Sequence, residues 1–176
     1  RAYPSMLFGL ETAVAQFNAK GSLNFFDTPF GRGEEGIPIN GLVWMGTFEE
    51  MFERLEAKLK AGFRCIKIKI GAIDFDRELQ LIRHIRSTFS RNDVELRVDA
   101  NGGFTPEEAL SRMEALVQYD IHSIEQPIKQ HQWTEMARLC AATPLPIGLD
   151  EELIGVNERQ KKIELLDTIR PQYIVL

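Results

Sequence analysis

The chain has only two cysteines among its 176 residues, Cys65 and Cys140, with neither a CxxC spacing nor the density of a disulfide-stapled scaffold. That scarcity excludes a disulfide framework and points to a reducing compartment, the cytoplasm. The three histidines, His84, His122 and His131, stand apart without ligand spacing, which excludes a zinc pattern and leaves each as a surface or satisfied core side chain. Basic residues are not in excess. With 21 Lys and Arg against 26 Asp and Glu, the net charge is −5, so the basic patch that nucleic acid or an anionic membrane needs is lacking. No apolar run is long enough to span a bilayer. No leader pattern stands at the front, although a chain opening on Arg1 rather than Met is compatible with a targeting segment lost upstream.

What is present is an ordinary globular composition, 44% hydrophobic and 27% charged, sufficient for one domain with a real core. Residues 4–19 carry Leu7, Leu10, Ala13, Val14 and Phe17 at helical spacing and predict an amphipathic helix ending near Gly21. A loop rich in Gly and Phe follows over 21–36. A first strand is expected around Ile39 to Met45. Thr47 and Glu50 then form a capping box for a helix whose stripe is Phe48, Met51, Leu55 and Leu59. The pattern repeats: strand 65–70, helix 74–88, strand 95–100, a helix opening at Thr105 with Pro106 and Glu108, strand 121–125 and helix 132–142. It closes with strand 146–151, a helix of roughly 155–168 and strand 172–176. Two regions result, a leading helix and loop over 1–36 and the alternating region over 37–176.

Strict alternation of strands and helices forces parallel strands, in an open doubly wound sheet or a barrel. Side-chain parity separates the two. Ile66, Ile68 and Ile70 share one face of their strand while Cys65, Lys67 and Lys69 share the other; Leu96, Val98 and Ala100 likewise oppose Glu95, Arg97 and Asp99. An open sheet would bury those charged faces under helices, whereas a barrel gathers them in one interior where opposite charges pair. The expected class is therefore α/β, a TIM-type (β/α) barrel. Because a complete one needs eight strands and about 250 residues, six strands make it incomplete. Its open edges would leave backbone groups unpaired, a liability for aggregation or for borrowing partners.

Lys69, Asp99, Glu125 and Asp150 each close a strand-like run, at intervals of 30, 26 and 25 residues. In a parallel α/β sheet this places all four on one rim. Three carboxylates offer hard oxygens suited to Mg²⁺, and an amine beside them becomes a base once desolvation or neighbouring positive charge lowers its proton affinity. Those parts suit proton abstraction next to a carboxylate, where a metal offsets the enediolate charge. The competing reading of the three acids is N-capping of the helices that follow. Glu95 and Arg97 read as a structural ion pair, with Arg97 also able to orient Asp99 or tune Lys69; Lys67 divides evenly between a structural and a tuning role. The run GRGEEG matches the glycine spacing of a nucleotide loop, but no strand precedes it and Glu34 and Glu35 would repel phosphate. Trp44, Trp133 and Phe25, Phe26 and Phe30 read as packing.

The segments KIKIG, RVDANG, IEQP and LDEE, in that order at successive strand ends, resemble the enolase superfamily, muconate-lactonizing subgroup, whose Lys base with Mg²⁺ is an established pattern. PSMLFGLETA, GIPINGLVWMG and RPQYIVL are similar to the o-succinylbenzoate synthases, most nearly the Bacteroides type. The resemblance implies that Asp99, Glu125 and Asp150 ligate Mg²⁺, that Lys69 is the base with Lys67 tuning it, and that Asn101 and Glu151, with Arg97, orient them. It further implies a small carboxylate substrate, a lyase performing a syn dehydration in menaquinone biosynthesis, and room for a homo-oligomer. A dipeptide or N-acylamino-acid epimerase, a muconate cycloisomerase and a non-catalytic truncated barrel remain as alternatives. A further family lysine belongs after Leu176, and residues 1–36 correspond to the end of a capping domain. The 176-residue piece alone is therefore expected to be inactive.

Overall fold

Pro4 opens helix α1 (Pro4–Asn18) at a position where its missing N–H costs nothing. The computed structural model, which describes residues 3–175, divides into two compact units, Arg1–Ile39 and Asn40–Leu176. In the first, α1 carries the expected apolar stripe, but none of its residues is buried, since among the described residues this unit has no second helix or strand to cover it. In the loop that follows, Arg32 bonds Glu34 through two nitrogens, at 2.7 and 2.9 Å, and also meets Asp27. Arg32 and Glu34 of the GRGEEG run are thereby occupied with one another.

The second unit alternates without exception. Strands β1 (Gly41–Val43), β2 (Cys65–Lys69), β3 (Glu95–Asp99), β4 (Ile121–Glu125), β5 (Ile147–Leu149) and β6 (Tyr173–Ile174) are separated by helices α2 (Phe48–Lys60), α3 (Phe75–Thr88), α4 (Pro106–Val117), α5 (Trp133–Ala142) and α6 (Arg159–Ile169). All five neighbouring pairs are parallel and the spatial order is the chain order, β1 to β6. A doubly wound sheet reverses its strand order at a switch point. Consecutive order is the winding of a (β/α) barrel, here an arc of six strands with β1 and β6 at its edges. No helix among the described residues is long and apolar enough to cross a membrane.

Capping sets the helix starts. Thr47 and Thr105 each accept a hydrogen bond from the amide three residues on, at 3.3 Å, and Glu50 and Glu108 answer from the side-chain end. Asp74 caps α3. Elsewhere the boundaries differ from expectation. β1 has three residues and β5 stops at Leu149, after which Glu151–Leu153 form a 3-10 turn and α6 begins only at Arg159. Gly155, at φ +81°, redirects the chain between that turn and α6.

The outward face of the sheet meets the helices. Ile66, Ile68, Leu96, Ile124, Ile147 and Leu149 are all fully buried against Leu55, Leu81, Ile85, Met113, Leu116, Leu139 and Leu165. Each such side chain contributes about 1.5–3 kcal/mol relative to exposure. β4 needs a correction to reach this face. Ile121 and Ile124 both point outward although they lie three apart, which a strict two-residue alternation forbids. The register to β3 shifts between Leu96 and Arg97, whose partners are Ile121 and Ser123, so the extra residue at His122 resets the phase.

Two glycines close the loops above β2 and β3. The backbone at Gly103 approaches so closely that a Cβ there would lie 2.8 Å from the Ala100 carbonyl oxygen and 3.0 Å from that of Gly71, neither of which can step aside as a side chain could. Gly103→Ala should therefore lower stability by about 1–3 kcal/mol, read as a drop in the urea midpoint. An unchanged midpoint would contradict the close approach.

Candidate active site

With the phase of β4 reset, the ends of three strands fall into line: Lys69 pairs across the sheet with Asp99, and Asp99 with Glu125. All three side chains point to the inner face. Lys69 Nζ lies 2.6 Å from Asp99 Oδ2, and Lys67, one layer deeper, reaches the same oxygen at 3.1 Å. Lys67 also donates to both Glu125 oxygens, at 3.0 and 3.2 Å. Asp99 is fully buried and Lys69 nearly so, at 8% exposed. Two ammonium groups and two carboxylates thus form one compact charged cluster.

The electrostatics of this cluster are divided unequally. Burial works to raise Asp99, but its hydrogen bond from Lys69 and its contacts with Glu125 and Lys67 outweigh it and hold the carboxyl below the usual range. Glu125 goes the other way, pushed up to about 7 by burial, with the Asp99 charge and a hydrogen bond its protonated form gives to Asp99 adding to the rise against the pull of Lys67. For Lys67, burial favours the neutral amine, yet the Glu125 hydrogen bond and the Asp99 charge keep it above the ordinary lysine value. Lys67 is therefore a fixed cation.

Around the cluster the loops add neutral donors and acceptors. Asn101, at φ +44°, accepts from Lys69 Nζ at 2.9 Å and donates to Glu151 Oε1 at 2.8 Å, while its amide donates to Asp99 Oδ1 at 3.1 Å. Arg97 does not reach Asp99. It binds Glu95 at 2.7 Å instead, which is the structural ion pair. The capping alternative for the three acids also fails: the caps of α4, α5 and α6 are Thr105, Gln132 and Glu158. Asp150 precedes the 3-10 turn without making a side-chain cap bond. Because Glu125 pairs with Gly148, Asp150 stands two residues further along the chain, just past the end of β5 and about 6–7 Å beyond that layer.

Several contributors escaped sequence reasoning. Trp44 reads from the sequence as packing, yet the residue is 55% exposed and Lys69 Nζ lies 5.2 Å from its ring centroid, a cation–π contact just past β1. Glu78, in the first turn of α3, accepts the amides of Gly71, Ala72 and Ile73 at 2.7, 3.2 and 3.3 Å and so pins the loop that leaves Lys69. Gln126 and Glu152 are both fully buried beside the acids. A buried amide and a buried glutamate next to predicted ligands in EQP and LDEE were the available signal.

Among the described residues no three His, Cys, Asp or Glu side chains stand close enough together to hold a metal ion; Asp99 and Glu125 meet as a pair. The pair nevertheless fits Mg²⁺, which keeps several waters and is held by one or two carboxylates. Both acids are hard oxygen donors, both already attract cations, and Glu151 Oε2 is a buried oxygen with no partner among the described residues.

Comparison with known proteins follows the same lines. Residues 50–172 match the family model described as enolase C-terminal domain-like. An o-succinylbenzoate synthase from Desulfotalea psychrophila is 53% identical over 99% of this chain and 47% of its own length. An L-Ala-D/L-Glu epimerase from Francisella tularensis subsp. novicida is 30% identical over 68% of this chain and 33% of its own. The crystal structure of MenC from Desulfotalea psychrophila superposes with a TM-score of 0.77 at 54% identity, covering 89% of this chain and 43% of that one. The chain thus spans less than half the length of the curated relatives it matches.

The raised Glu125 has a consequence for stability. A carboxyl with a folded value near 7 against about 4.3 unfolded binds its proton more tightly when folded. The metal-free protein should accordingly lose stability as pH rises from about 4.5 through 7, by up to a few kcal/mol at about 1.4 kcal/mol per unit. Glu125→Gln should flatten that slope in urea melts between pH 5 and 8, and an unaltered slope would refute the assignment.

Proposed function

The chain belongs to the enolase C-terminal domain-like family, and from that premise we propose that it is the barrel portion of an o-succinylbenzoate synthase, a Mg²⁺-dependent lyase. Asp99, Glu125 and Asp150 would hold the ion, and a small carboxylate substrate would complete its coordination. When bound, Mg²⁺ would supply the fixed positive charge that offsets the negative charge growing on the substrate carboxylate as its α-proton leaves.

The chain's own residues divide the remaining work. Lys69, as the neutral amine, is the base: it sits on the rim, is nearly buried, and shares its Nζ between Asp99 and the neutral Asn101. It takes the α-proton of a hydroxycyclohexadiene carboxylate and returns it to the departing hydroxyl on the same face, so that water leaves and the ring becomes aromatic. Lys67 stays protonated and steadies Glu125. Asn101 orients the Lys69 amine, and Glu151 orients Asn101. Residues 1–36 are assigned as the end of a capping domain and its connection to the barrel that 37–176 begin, and the reaction is placed in the cytoplasm.

The observation that carries this reading is the Lys69–Asp99–Glu125 alignment, together with 53% identity to a synthase over nearly the whole chain. The 30% relative makes epimerisation the second reading, since one α-proton abstraction begins both reactions. The full-length gene product, given Mg²⁺ and the hydroxycyclohexadiene carboxylate, should remove the substrate's ultraviolet absorbance. Lys69→Ala should slow that loss by on the order of 10³-fold or more. Exchange of a dipeptide α-proton without any dehydration would assign the protein to the epimerases instead.

A further inference from the structure

Asp150 stands one layer above the Asp99–Glu125 pair, so something must fix its distance from them. We propose that Gln126 and Glu152 form a buried clasp that sets the Asp150 backbone against the end of β4, making both of them positioning residues for the third carboxylate. The inference rests on the metal-site reading above.

Gln126 follows Glu125 directly and adopts φ +40°, a conformation that non-glycine residues rarely hold without compensation. Its backbone amide donates to Gly148 O at 2.9 Å, joining β4 to β5. Its side chain then uses its full capacity. Oε1 accepts the amides of Asp150 at 3.2 Å and Glu152 at 3.1 Å, while Nε2 donates to Ile128 O at 3.0 Å and Glu152 Oε2 at 3.4 Å. One side-chain amide thereby spans from the residue after Glu125 to the backbone of Asp150 and Glu152.

Glu152 completes the clasp from the other side. Its Oε1 accepts the His131 amide and the Trp133 indole N–H, both at 2.8 Å, tying the 3-10 turn to the start of α5. Among the described residues no lysine, arginine or histidine forms an ion pair with it, although its burial is complete. A carboxylate held by neutral donors alone is a costly way to fill space; an apolar side chain of its size would pack as well. What an apolar side chain could not do is receive three directed bonds, one from Gln126 at the end of β4 and two from His131 and Trp133 at the start of α5. Together with the Asp150 amide's bond to Gln126, those bonds fix the Asp150 backbone and use none of its side-chain oxygens, which make no cap bond to the turn that follows.

The test is Mn²⁺ binding, followed by loss of the free-ion electron paramagnetic resonance signal, beside a thermal melt of each variant. Gln126→Ala and Glu152→Ala should weaken Mn²⁺ binding by roughly 10- to 100-fold. Trp133→Phe, which removes a single donor to Glu152 and keeps the packing, should weaken it by less and should fold even where the alanine variants do not. Ile85→Val, a core change remote from the clasp, should lower the melting temperature and leave Mn²⁺ affinity unchanged. If the clasp variants melt earlier but bind Mn²⁺ as the unaltered protein does, the clasp is merely structural and the proposal falls alone. If the unaltered protein binds no Mn²⁺, the metal-site reading falls and the clasp with it.

Discussion

Charges placed inside a parallel sheet have to meet opposite charges there or be neutralised, a carboxylate by taking up a proton and an amine by losing one, and this constraint organises the second unit of the chain. Lys67 and Lys69 point inward from β2 because Ile66, Ile68 and Ile70 take the helix-covered face. Their carboxylate partners must then arrive on neighbouring strands at the same height. Asp99 does so through ordinary pairing of β2 with β3. Glu125 does so only because β4 gains a residue at His122, which lets Ile121 and Ile124 both face the helices while Glu125 still faces inward. Packing outside and pairing inside are satisfied together by one bulge.

The cluster separates its two lysines by environment. Lys67 is bonded to both carboxylates and is held charged, a structural counterion for Glu125. Lys69 has one carboxylate and one neutral amide partner, with an indole face nearby, and stands a layer nearer the rim. Loops then fix what the strands cannot: Glu78 holds the exit from β2, the Gly71–Gly103 contact locks two loops together, and Gln126 with Glu152 ties β4 to the turn bearing Asp150.

Much of this arrangement was legible from residue order alone. Alternation of apolar periods located all six strands, parity of KIKIK and ELRVD chose the barrel over the open sheet, and recurrence of Lys69, Asp99, Glu125 and Asp150 marked the rim. The ends of β1 and β5 were overextended because a run of apolar residues does not say where ladder bonds stop. The bulge is a property of strand pairing that a range of 121–125 does not show, although the three-residue spacing of Ile121 and Ile124 departs from a period of two. Trp44 and Glu152 were passed over for another reason. An aromatic at a strand end and a third acid in a row look like packing and solvation until the backbone brings a lysine under the one and an indole N–H to the other. The α1 stripe was visible too, but what covers a stripe is a property of neighbours and not of the helix.

The central claim is that the carboxylates gathered by this pairing are a seat for a divalent cation. Calorimetric titration of the protein with Mg²⁺ at pH 6.5, in two buffers of different ionisation enthalpy, measures both binding and the protons it displaces. The account predicts a saturating heat with net proton release from Glu125, and its disappearance in Asp99→Asn. A flat titration, or the same isotherm in Asp99→Asn, would contradict it.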